Sequence, residues 1–315
     1  MARVLVTGAS GFLGSHVADE LTRSGHDVRL MDRVASPYRG DSQEEFLGSI
    51  TDATQAAAAV DGCDVVYHFA GLADLDDARS RPLDTVTDNV FGTVTMLDAA
   101  RAAGVGRFVH ASTIYVYSER GGFYRCSKQA AESYTEEFQR RYGMDFTILR
   151  FGTLYGPRSD RRNSVHRLLS DALAARRLRV VGTGEELREY VNVRDAARLS
   201  VDVLDEVYRN QHVIVTGPYP IQLRQLLEMI REIVGRDVEI ELDTAGDEDA
   251  HYQFTPVTFA PKIGYKLTST RYLDLAQGLL ECLHDIHGAQ AGIEPDTGQP
   301  EVPARAGPSS GDGDR

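Results

Sequence analysis

A glycine-rich segment near the start of the chain limits the possible folds more than any other feature. Residues 7–14 read TGASGFLG, follow the short apolar run 4–6 and open a helical pattern that extends to residue 24. Glycines at this spacing allow a tight turn, a close approach of the backbone to a pyrophosphate, and close packing of a helix on a strand. The phosphates then lie on the free N–H groups of the helix N-terminus. The segment predicts a dinucleotide-binding site, with a plain strand-to-helix turn as the alternative.

An acidic residue at the end of the next apolar run points to the kind of dinucleotide. Asp32 follows Gly14 by 18 positions. A carboxylate there accepts hydrogen bonds from both adenosine ribose hydroxyls and repels a 2′-phosphate, which favours NAD over NADP. The neighbouring Arg33 opposes this preference, because a guanidinium pairs well with a 2′-phosphate.

Apolar runs and helical patterns alternate along the first half of the chain. The runs occupy 28–31, 65–69, 107–111 and 146–151, and the helical patterns cover 85–103 and 123–142. Continuous apolar runs are typical of parallel strands covered on both faces. Their alternation with helices predicts an α/β fold with right-handed crossovers and a doubly wound parallel Rossmann sheet.

The later part of the chain predicts a second, smaller domain. We expect residues 1–155 to form the NAD-binding Rossmann domain, to which 189–217 return. Residues 156–188 and 218–287 would form a smaller α/β domain. Residues 288–315 contain almost no large apolar side chains, which predicts a disordered tail.

Composition excludes several classes of protein. The formal net charge of −13 makes nucleic acid and anionic membrane surfaces poor partners. No run approaches the roughly 18 consecutive apolar residues of a membrane span. The three cysteines lie far apart without metal-ligand spacing, so we expect no disulfide framework, no metal site and a cytoplasmic protein.

A tyrosine and a lysine four residues apart are the strongest candidates for catalysis. Tyr124 and Lys128 fall on one face of the helical pattern that follows the run 107–111. An ammonium near a phenol lowers the pKa of the phenol, which turns tyrosine into an acid/base near neutral pH. Thr113 lies just after the run and could hydrogen-bond the same substrate oxygen. The alternative is an exposed pair of helical residues.

These motifs form part of a larger set. It includes HFAGLA at 68–73, Asn89 within DNVFGT, STIYVY at 112–117, RFGTLYGPR at 150–158 and REYVNVRD at 188–195. Over residues 1–287 the set resembles the extended short-chain dehydrogenase/reductases, and within them the nucleotide-sugar epimerase/dehydratase family. HFAGL is similar to the version in UDP-galactose 4-epimerases. The resemblance implies tightly held NAD and a homodimer formed through two helices per subunit. It also implies that the smaller domain, residues 156–188 and 218–287, is a substrate-binding domain for a nucleotide-sugar.

The resemblance also assigns roles to matching residues. Tyr124 would be the acid/base at a sugar hydroxyl, Lys128 would bind the nicotinamide ribose, and Thr113 would hold the substrate oxygen. The remaining cofactor residues would be Gly8, Gly11, Phe12, Leu13, Gly14, Asp32, Arg33, Ser49, Ile50, Ala70, Gly71, Leu72 and Asn89. Thr153, Arg158 and Arg188 would join Thr113 in binding the substrate.

Departures from the family pattern reduce the number of reactions that the chain is expected to catalyse. Ile114 and Tyr115 stand where sugar 4,6-dehydratases carry Asp-Glu, and UDP-glucuronate decarboxylases usually carry a glutamate at the position of Tyr115. The remaining hypothesis is an NAD-dependent epimerase, acting at C4 through transient oxidation to a keto-sugar. An NAD(P)H-dependent keto-sugar reductase is the alternative, followed by a non-catalytic dinucleotide-binding sensor. The segment from Thr113 to Tyr124 spans only 11 positions, about half the family's usual length.

Three further expectations concern arginines, helices and histidines. Residues 241–252 lack the usual second diphosphate-binding arginine, so at least one of Arg158, Arg161 and Arg162 is predicted to bind substrate phosphates.

The dimer would use the apolar faces of helices 85–103 and 123–141, formed by Val90, Val94, Leu97, Phe138 and Tyr142. His68 and His110 end apolar runs and are interpreted as scaffold residues.

Overall fold

The computed structural model describes residues 1–243, so the predicted tail and most of 218–287 lie outside the described residues. The strands are β1 (Arg3–Thr7), β2 (Asp27–Asp32), β3 (Glu44–Leu47), β4 (Val65–His68), β5 (Arg107–Thr113), β6 (Asp145–Phe151), β7 (Thr153–Tyr155), β8 (Arg177–Val181), β9 (Leu187–Arg188), β10 (Tyr190–Asn192), β11 (Gln211–Val215), β12 (Ile221–Gln222) and β13 (Glu239–Asp243). Seven of them form one sheet in the order β11-β6-β5-β4-β1-β2-β3. The others pair as β10 with β7, β12 with β9 and β13 with β8.

The helices lie between these strands. They are α1 (Phe12–Arg23), α2 (Ala53–Val60), α3 (Leu75–Ser80), α4 (Pro82–Val86), α5 (Gly92–Ala102), α6 (Gly122–Tyr142), α7 (Ser164–Ala175), α8 (Val193–Asp202) and α9 (Leu223–Val234). Short 3₁₀ helices follow β5 and α8, at Ile114–Tyr117 and Glu206–Tyr208. Among the described residues, no helix combines the length and apolar character that crossing a bilayer requires.

All neighbouring strands of the seven-stranded sheet run parallel. The predicted α/β fold with a doubly wound parallel sheet is therefore confirmed. Chain order reverses beside β1, and at such a switch point the carboxyl ends of the strands form a cleft that binds ligands. Thr7, His68 and Thr113 each end a strand at this edge.

Buried apolar side chains cover both faces of the sheet. One face packs against α1 and α8, with Val17 and Ala196 in its core. The other face packs against α2 and α5, where Ala56 and Leu97 are fully buried. A separate apolar cluster joins α7, β8 and α9, and includes Leu227. The domain boundaries predicted from the sequence stay a prediction.

Two buried arginines tie the sheet to helix C-termini. Arg107 on β5 donates from Nη1 to the carbonyls of Val203, Leu204 and Asp205, at 3.0, 3.1 and 3.2 Å. Arg29 on β2 donates in the same way to carbonyls at the end of α2. Arg107 thus binds carbonyls in the turn that follows α8, of which that of Asp205 also accepts from the backbone of Tyr208, and Arg29 binds carbonyls at the end of α2. The last carbonyls of a helix have no partner within the helix, so such donors stabilise its end.

The helix predicted over 85–103 is not one regular helix. A π-helical turn at Thr87–Phe91 separates α4 from α5 and carries the buried side chain of Asn89. The π turn shifts the helical phase, so the apolar positions do not all share one face. Leu97, expected on an intersubunit face, is fully buried in its own core, whereas Leu83 and Phe91 are 80% and 55% exposed.

Candidate active site

The glycine turn between β1 and α1 is shaped by close backbone contacts. Gly8 has φ +71°, and a Cβ atom there would lie 2.7 Å from the backbone nitrogen of Ala70. A Cβ atom at Gly14 would collide with the carbonyl of Gly8. The turn therefore needs glycine both for conformation and for close packing.

The N-terminus of α1 is open to an anion. Its N-cap residue is Gly11, which offers no side-chain cap, whereas Asp52, Asn163 and Asn192 cap α2, α7 and α8 through their side chains. The first-turn N–H groups of α1 therefore lack a side-chain acceptor. An uncapped helix N-terminus behind a glycine turn without Cβ atoms fits the pyrophosphate of a dinucleotide. Phe12 and Leu13 form the first turn of this helix.

Asp32 closes the turn from the side of β2. Its Oδ2 accepts a hydrogen bond from the backbone of Ser10 at 3.0 Å, and its Oδ1 accepts one from the backbone of Arg33 at 2.7 Å. The Arg33 side chain is exposed and makes no hydrogen bond or ion pair within residues 1–243. Ser49 places its hydroxyl 2.8 Å from that of Thr51, and Ile50 is buried.

Asn89 acts on the 70–72 loop through its side-chain amide. Its Oδ1 accepts from the backbone of Leu72 at 2.7 Å, and its Nδ2 donates to the Leu72 carbonyl and to Ser127 Oγ, both at 2.9 Å. Both amide hydrogens are thus used within the protein. Asn89 therefore orders the loop and the start of α6, and the cofactor contact that the family resemblance implies stays a prediction.

The structure brings Thr113, Tyr124 and Lys128 together at the carboxyl end of β5. Thr113 is the last residue of β5, and its side chain lies close enough to the Tyr124 hydroxyl to lower the pKa of the phenol. Lys128 lies one turn further along α6 and donates from Nζ to the Ala111 carbonyl at 2.8 Å. Its Nζ atom is 5.9 Å from the centroid of the Tyr124 ring.

The protein environment opposes the charged forms of both side chains. Burial raises the pKa of Tyr124 to about 12, and the hydrogen bond from Thr113 lowers it in part. Burial likewise lowers the pKa of Lys128 to about 8, against the attraction of Glu132. Lys128 is not among the groups that shift the pKa of Tyr124 here, and the expectation that its ammonium lowers this pKa stays a prediction. The ammonium is directed at a backbone carbonyl, and desolvation dominates.

A buried ion pair behind the site was missed in the sequence. Glu132 accepts from Ser112 Oγ at 2.5 Å and from Arg150 Nη2 at 2.6 Å, and Arg150 also donates to the Tyr117 hydroxyl. These contacts fix the strand end and the 3₁₀ helix on either side of Thr113. One signal was readable, because Glu132 lies four residues after Lys128 on the same helical face.

The proposed substrate residues differ in their surroundings. Arg158 donates to Asp19 at 2.7 Å and stacks on the Tyr38 ring at 4.4 Å. Arg188 on β9 makes no side-chain hydrogen bond or ion pair with any described residue, and Thr153 starts β7.

The other two arginines predicted to bind substrate phosphates, Arg161 and Arg162, are paired as well. Arg161 donates to Asp171 and Arg162 to Asp160. Phosphate binding by Arg158, Arg161 or Arg162 would therefore have to replace an existing ion pair. Within residues 1–243, no group of three or more His, Cys, Asp or Glu residues is placed to hold a metal ion.

A tyrosine and a lysine one helical turn apart, beside a glycine turn on a parallel Rossmann sheet, are characteristic of the extended short-chain dehydrogenase/reductases. Comparison with known families supports this class. Residues 4–217 match the NAD dependent epimerase/dehydratase family, and the chain belongs to that family. The predicted family and the prediction of an NAD-dependent enzyme are confirmed.

Relatives from two branches of the family match nearly the whole chain. The dTDP-glucose 4,6-dehydratase of Streptomyces antibioticus is 29% identical, over 98% of this chain and 99% of that enzyme. A putative UDP-glucose 4-epimerase of Methanocaldococcus jannaschii is 24% identical, over 88% of this chain and 95% of that protein.

Solved epimerase structures share the fold. The UDP-glucose 4-epimerase of Thermotoga maritima, solved with UDP-glucose, has a TM-score of 0.75 and 25% identity, over 82% of this chain and 90% of that chain. The UDP-glucose 4-epimerase of Thermus thermophilus, solved with NAD, has a TM-score of 0.71 and 25% identity, over 84% of this chain and 95% of that chain.

Proposed function

We propose that the protein is an NAD-dependent nucleotide-sugar epimerase that acts at C4 through transient oxidation to a keto-sugar. The observation that carries this proposal is the placement of Thr113 beside Tyr124, with a buried apolar residue directly after the threonine. Ile114 is 1% exposed and has no ionisable group. Elimination of water needs an additional acid and base next to the threonine, whereas epimerisation needs only the Thr113, Tyr124 and Lys128 set. This supports an epimerase over the dehydratase reaction of the Streptomyces relative.

The chain's own residues handle the proton and the substrate oxygen. When bound, NAD supplies a reversible hydride acceptor. Tyr124 takes the proton of the sugar hydroxyl and returns it in the second half of the reaction. Thr113 donates a hydrogen bond to the Tyr124 oxygen, which favours the form that accepts a proton. Lys128 binds the nicotinamide ribose.

The cofactor preference follows from the end of β2. The Asp32 carboxylate is held by two backbone N–H groups beside the glycine turn, which keeps its charge where an adenosine ribose would lie. A fixed negative charge there disfavours a 2′-phosphate, so we assign NAD rather than NADP.

The substrate class rests on charge and on the relatives. Arg188 offers a guanidinium without a side-chain hydrogen bond or ion pair to any residue of 1–243, which suits the diphosphate of a nucleotide-sugar. Thr153, Thr113 and Arg158 complete the proposed substrate contacts. A UDP-sugar is the first candidate, because the solved epimerase relatives are named for UDP-glucose.

The proposed assembly is a homodimer. Leu83, Phe91, Phe123 and Tyr134 are 80%, 55%, 51% and 47% exposed, and they lie on α4, the π turn and α6. These elements pack against one another within one subunit. Their exposed apolar side chains would be buried by the same surface of a second copy in a two-fold dimer.

A panel of UDP-, dTDP- and GDP-sugars tests the proposed function. Thermal shift identifies the sugar that stabilises the protein, and NMR then follows that sugar without added cofactor. We expect its C4 epimer to accumulate with the wild type, and Tyr124→Phe to bind the same sugar without converting it. NAD(P)H consumed one-for-one with a keto-sugar would instead identify a reductase, and binding without turnover would indicate a sensor.

A further inference from the structure

A buried histidine lies where the cofactor loops and the catalytic helix meet. His68 ends β4, is 1% exposed, and pairs in register with Thr7 on β1 and His110 on β5. Both of its ring nitrogens contact threonine hydroxyls. Nδ1 is 2.9 Å from Thr7 Oγ1, and Nε2 is 3.1 Å from Thr93 Oγ1.

The partners of Thr93 fix the direction of its hydrogen bond to the ring. Thr93 donates its only hydrogen to the Asn89 carbonyl at 2.7 Å, so it must accept from His68 Nε2. Thr7 Oγ1 accepts from the backbone N–H of Ala70 at 3.2 Å, and its own hydrogen is available for His68 Nδ1. The Thr93 end therefore requires a proton on Nε2, and in a neutral ring Nδ1 then accepts from Thr7.

The chain of contacts continues to the catalytic tyrosine. Asn89 holds Leu72 and Ser127 through its side-chain amide, and Ser127 donates from Oγ to the Tyr124 carbonyl at 2.7 Å. Hydrogen bonds therefore connect the end of β1, the 70–72 loop, the π turn and the first turn of α6. His68 contacts both Thr7 on β1 and Thr93 on α5, and Thr93 in turn bonds the π turn through the Asn89 carbonyl.

We propose that His68, in its Nε2–H form, is a positioning residue that keeps the glycine turn, the 70–72 loop and the Tyr124 turn in register for cofactor binding. The expected effect on turnover rests on the proposed function, whereas the effects on ring protonation and NAD retention do not. Burial independently favours the neutral ring, because it lowers the pKa of His68 to about 3.

His110 provides a matched control on the neighbouring strand. It is fully buried, and its ring stacks on that of His68 with centroids 5.8 Å apart. Neither of its ring nitrogens has a hydrogen-bond partner among the described residues. The two histidines thus share residue type, burial and location, and differ in the hydrogen bonds that carry the proposal.

Two measurements test the proposal on the purified holoprotein. The first compares NAD dissociation rates of His68→Leu, His68→Gln and His110→Leu. We expect dissociation to become at least ~10-fold faster in His68→Leu, partly restored in His68→Gln, and within ~2-fold of wild type in His110→Leu. Equal effects in the two leucine variants would mean that His68 only fills space, and would overturn the proposal.

The second measurement determines the protonation state and tautomer of the His68 ring directly. ¹⁵N NMR of the histidine side chains should show His68 as the neutral Nε2–H form without change from pH 8 to pH 5. An Nδ1–H form, or titration in this range, would overturn the proposal. This result needs no substrate, so it stands even if no nucleotide-sugar is converted.

Thr93→Val keeps the test decisive if His68→Leu fails to fold. It removes one hydroxyl at nearly constant volume and breaks the same chain between His68 and Asn89. Thr135→Val is its control, since Thr135 is equally buried but bonds only the Ala131 carbonyl in its own helix. Faster NAD release in Thr93→Val alone supports the proposal, and equal release in both contradicts it.

Discussion

At Tyr124 the surrounding protein holds the phenol in its protonated form, and one neighbour opposes this. Burial raises the pKa of Tyr124 to about 12, while the Thr113 hydroxyl lowers it. The family chemistry requires the form that accepts a proton. The Thr113–Tyr124 hydrogen bond is therefore the contact through which this site favours the reactive state.

Removing the Thr113 hydroxyl should raise the pKa of Tyr124 further. We expect Thr113→Val to lower kcat by about 10- to 100-fold, the loss of one hydrogen bond to a charged group. The rising limb of the pH–rate profile should move to higher pH, because the tyrosine then loses its proton less readily. Thr113→Ser should retain the wild-type profile. An unchanged profile in Thr113→Val would contradict the assigned role.

Arg188 should contribute to substrate affinity without affecting the cofactor. We expect Arg188→Ala to raise KM by about 10-fold or more, equivalent to about 1.4 kcal/mol. NAD retention should not change. The combined alanine variant of Arg158, Arg161 and Arg162 tests the sequence-based prediction in the same assay. A KM within about twofold of wild type for that variant would show that none of these three arginines binds the substrate phosphates.

At the scale of elements, buried arginines stabilise the contact between helices and the sheet. Arg107→Met should lower the free energy of unfolding by about 2 kcal/mol or more, because three carbonyls in the turn after α8 lose a charged donor. Arg198→Met is the control on the same helix, since its ion pair with Asp195 is exposed and should cost less than about 0.5 kcal/mol. Urea unfolding measures both, and equal losses would refute the capping role.

Local spacing explains what could be predicted from the sequence. The glycine turn and the Tyr124–Lys128 pair depend on residues a few positions apart, so both were recognisable. The Thr7–His68–Thr93 contacts depend on strand order and register, which no local pattern reveals. The partly exposed strand β3 has no clear alternation, and the π turn breaks the helical period around Asn89.

At the scale of the whole molecule, the exposed apolar surface should determine the assembly state. Light scattering should give about twice the 34.7 kDa chain mass at micromolar concentration. Phe91→Glu should give a monomer, since it places a charge in the centre of the proposed interface. Val207→Glu is the control, because Val207 is 69% exposed but lies after α8. A monomeric wild-type protein in this measurement would contradict the proposed homodimer.

The two buried histidines should make the whole fold sensitive to acid. Burial lowers the pKa of both rings, so the folded protein keeps them neutral while the unfolded chain binds protons below pH ~6.5. Each histidine therefore contributes stability that is complete above pH ~6.5. This stability falls by about 1.4 kcal/mol per pH unit as the pH drops further.

Unfolding free energies between pH 8 and pH 5 measure this contribution. The curve of His110→Leu should run parallel to that of the wild type above pH ~7 and be flatter by about 1.4 kcal/mol per unit near pH 5. Parallel curves over the whole range would show that His110 titrates normally in the folded protein.

The fate of the hydrogen on C4 tests the proposed function most directly. A nucleotide-sugar that binds, labelled with deuterium at C4, is incubated with the protein in water without added cofactor and followed by NMR. We predict that the C4 epimer forms with the deuterium still on C4, and that Tyr124→Phe forms none. Loss of water from the sugar, or conversion only with stoichiometric NAD(P)H, would contradict the assignment as an epimerase.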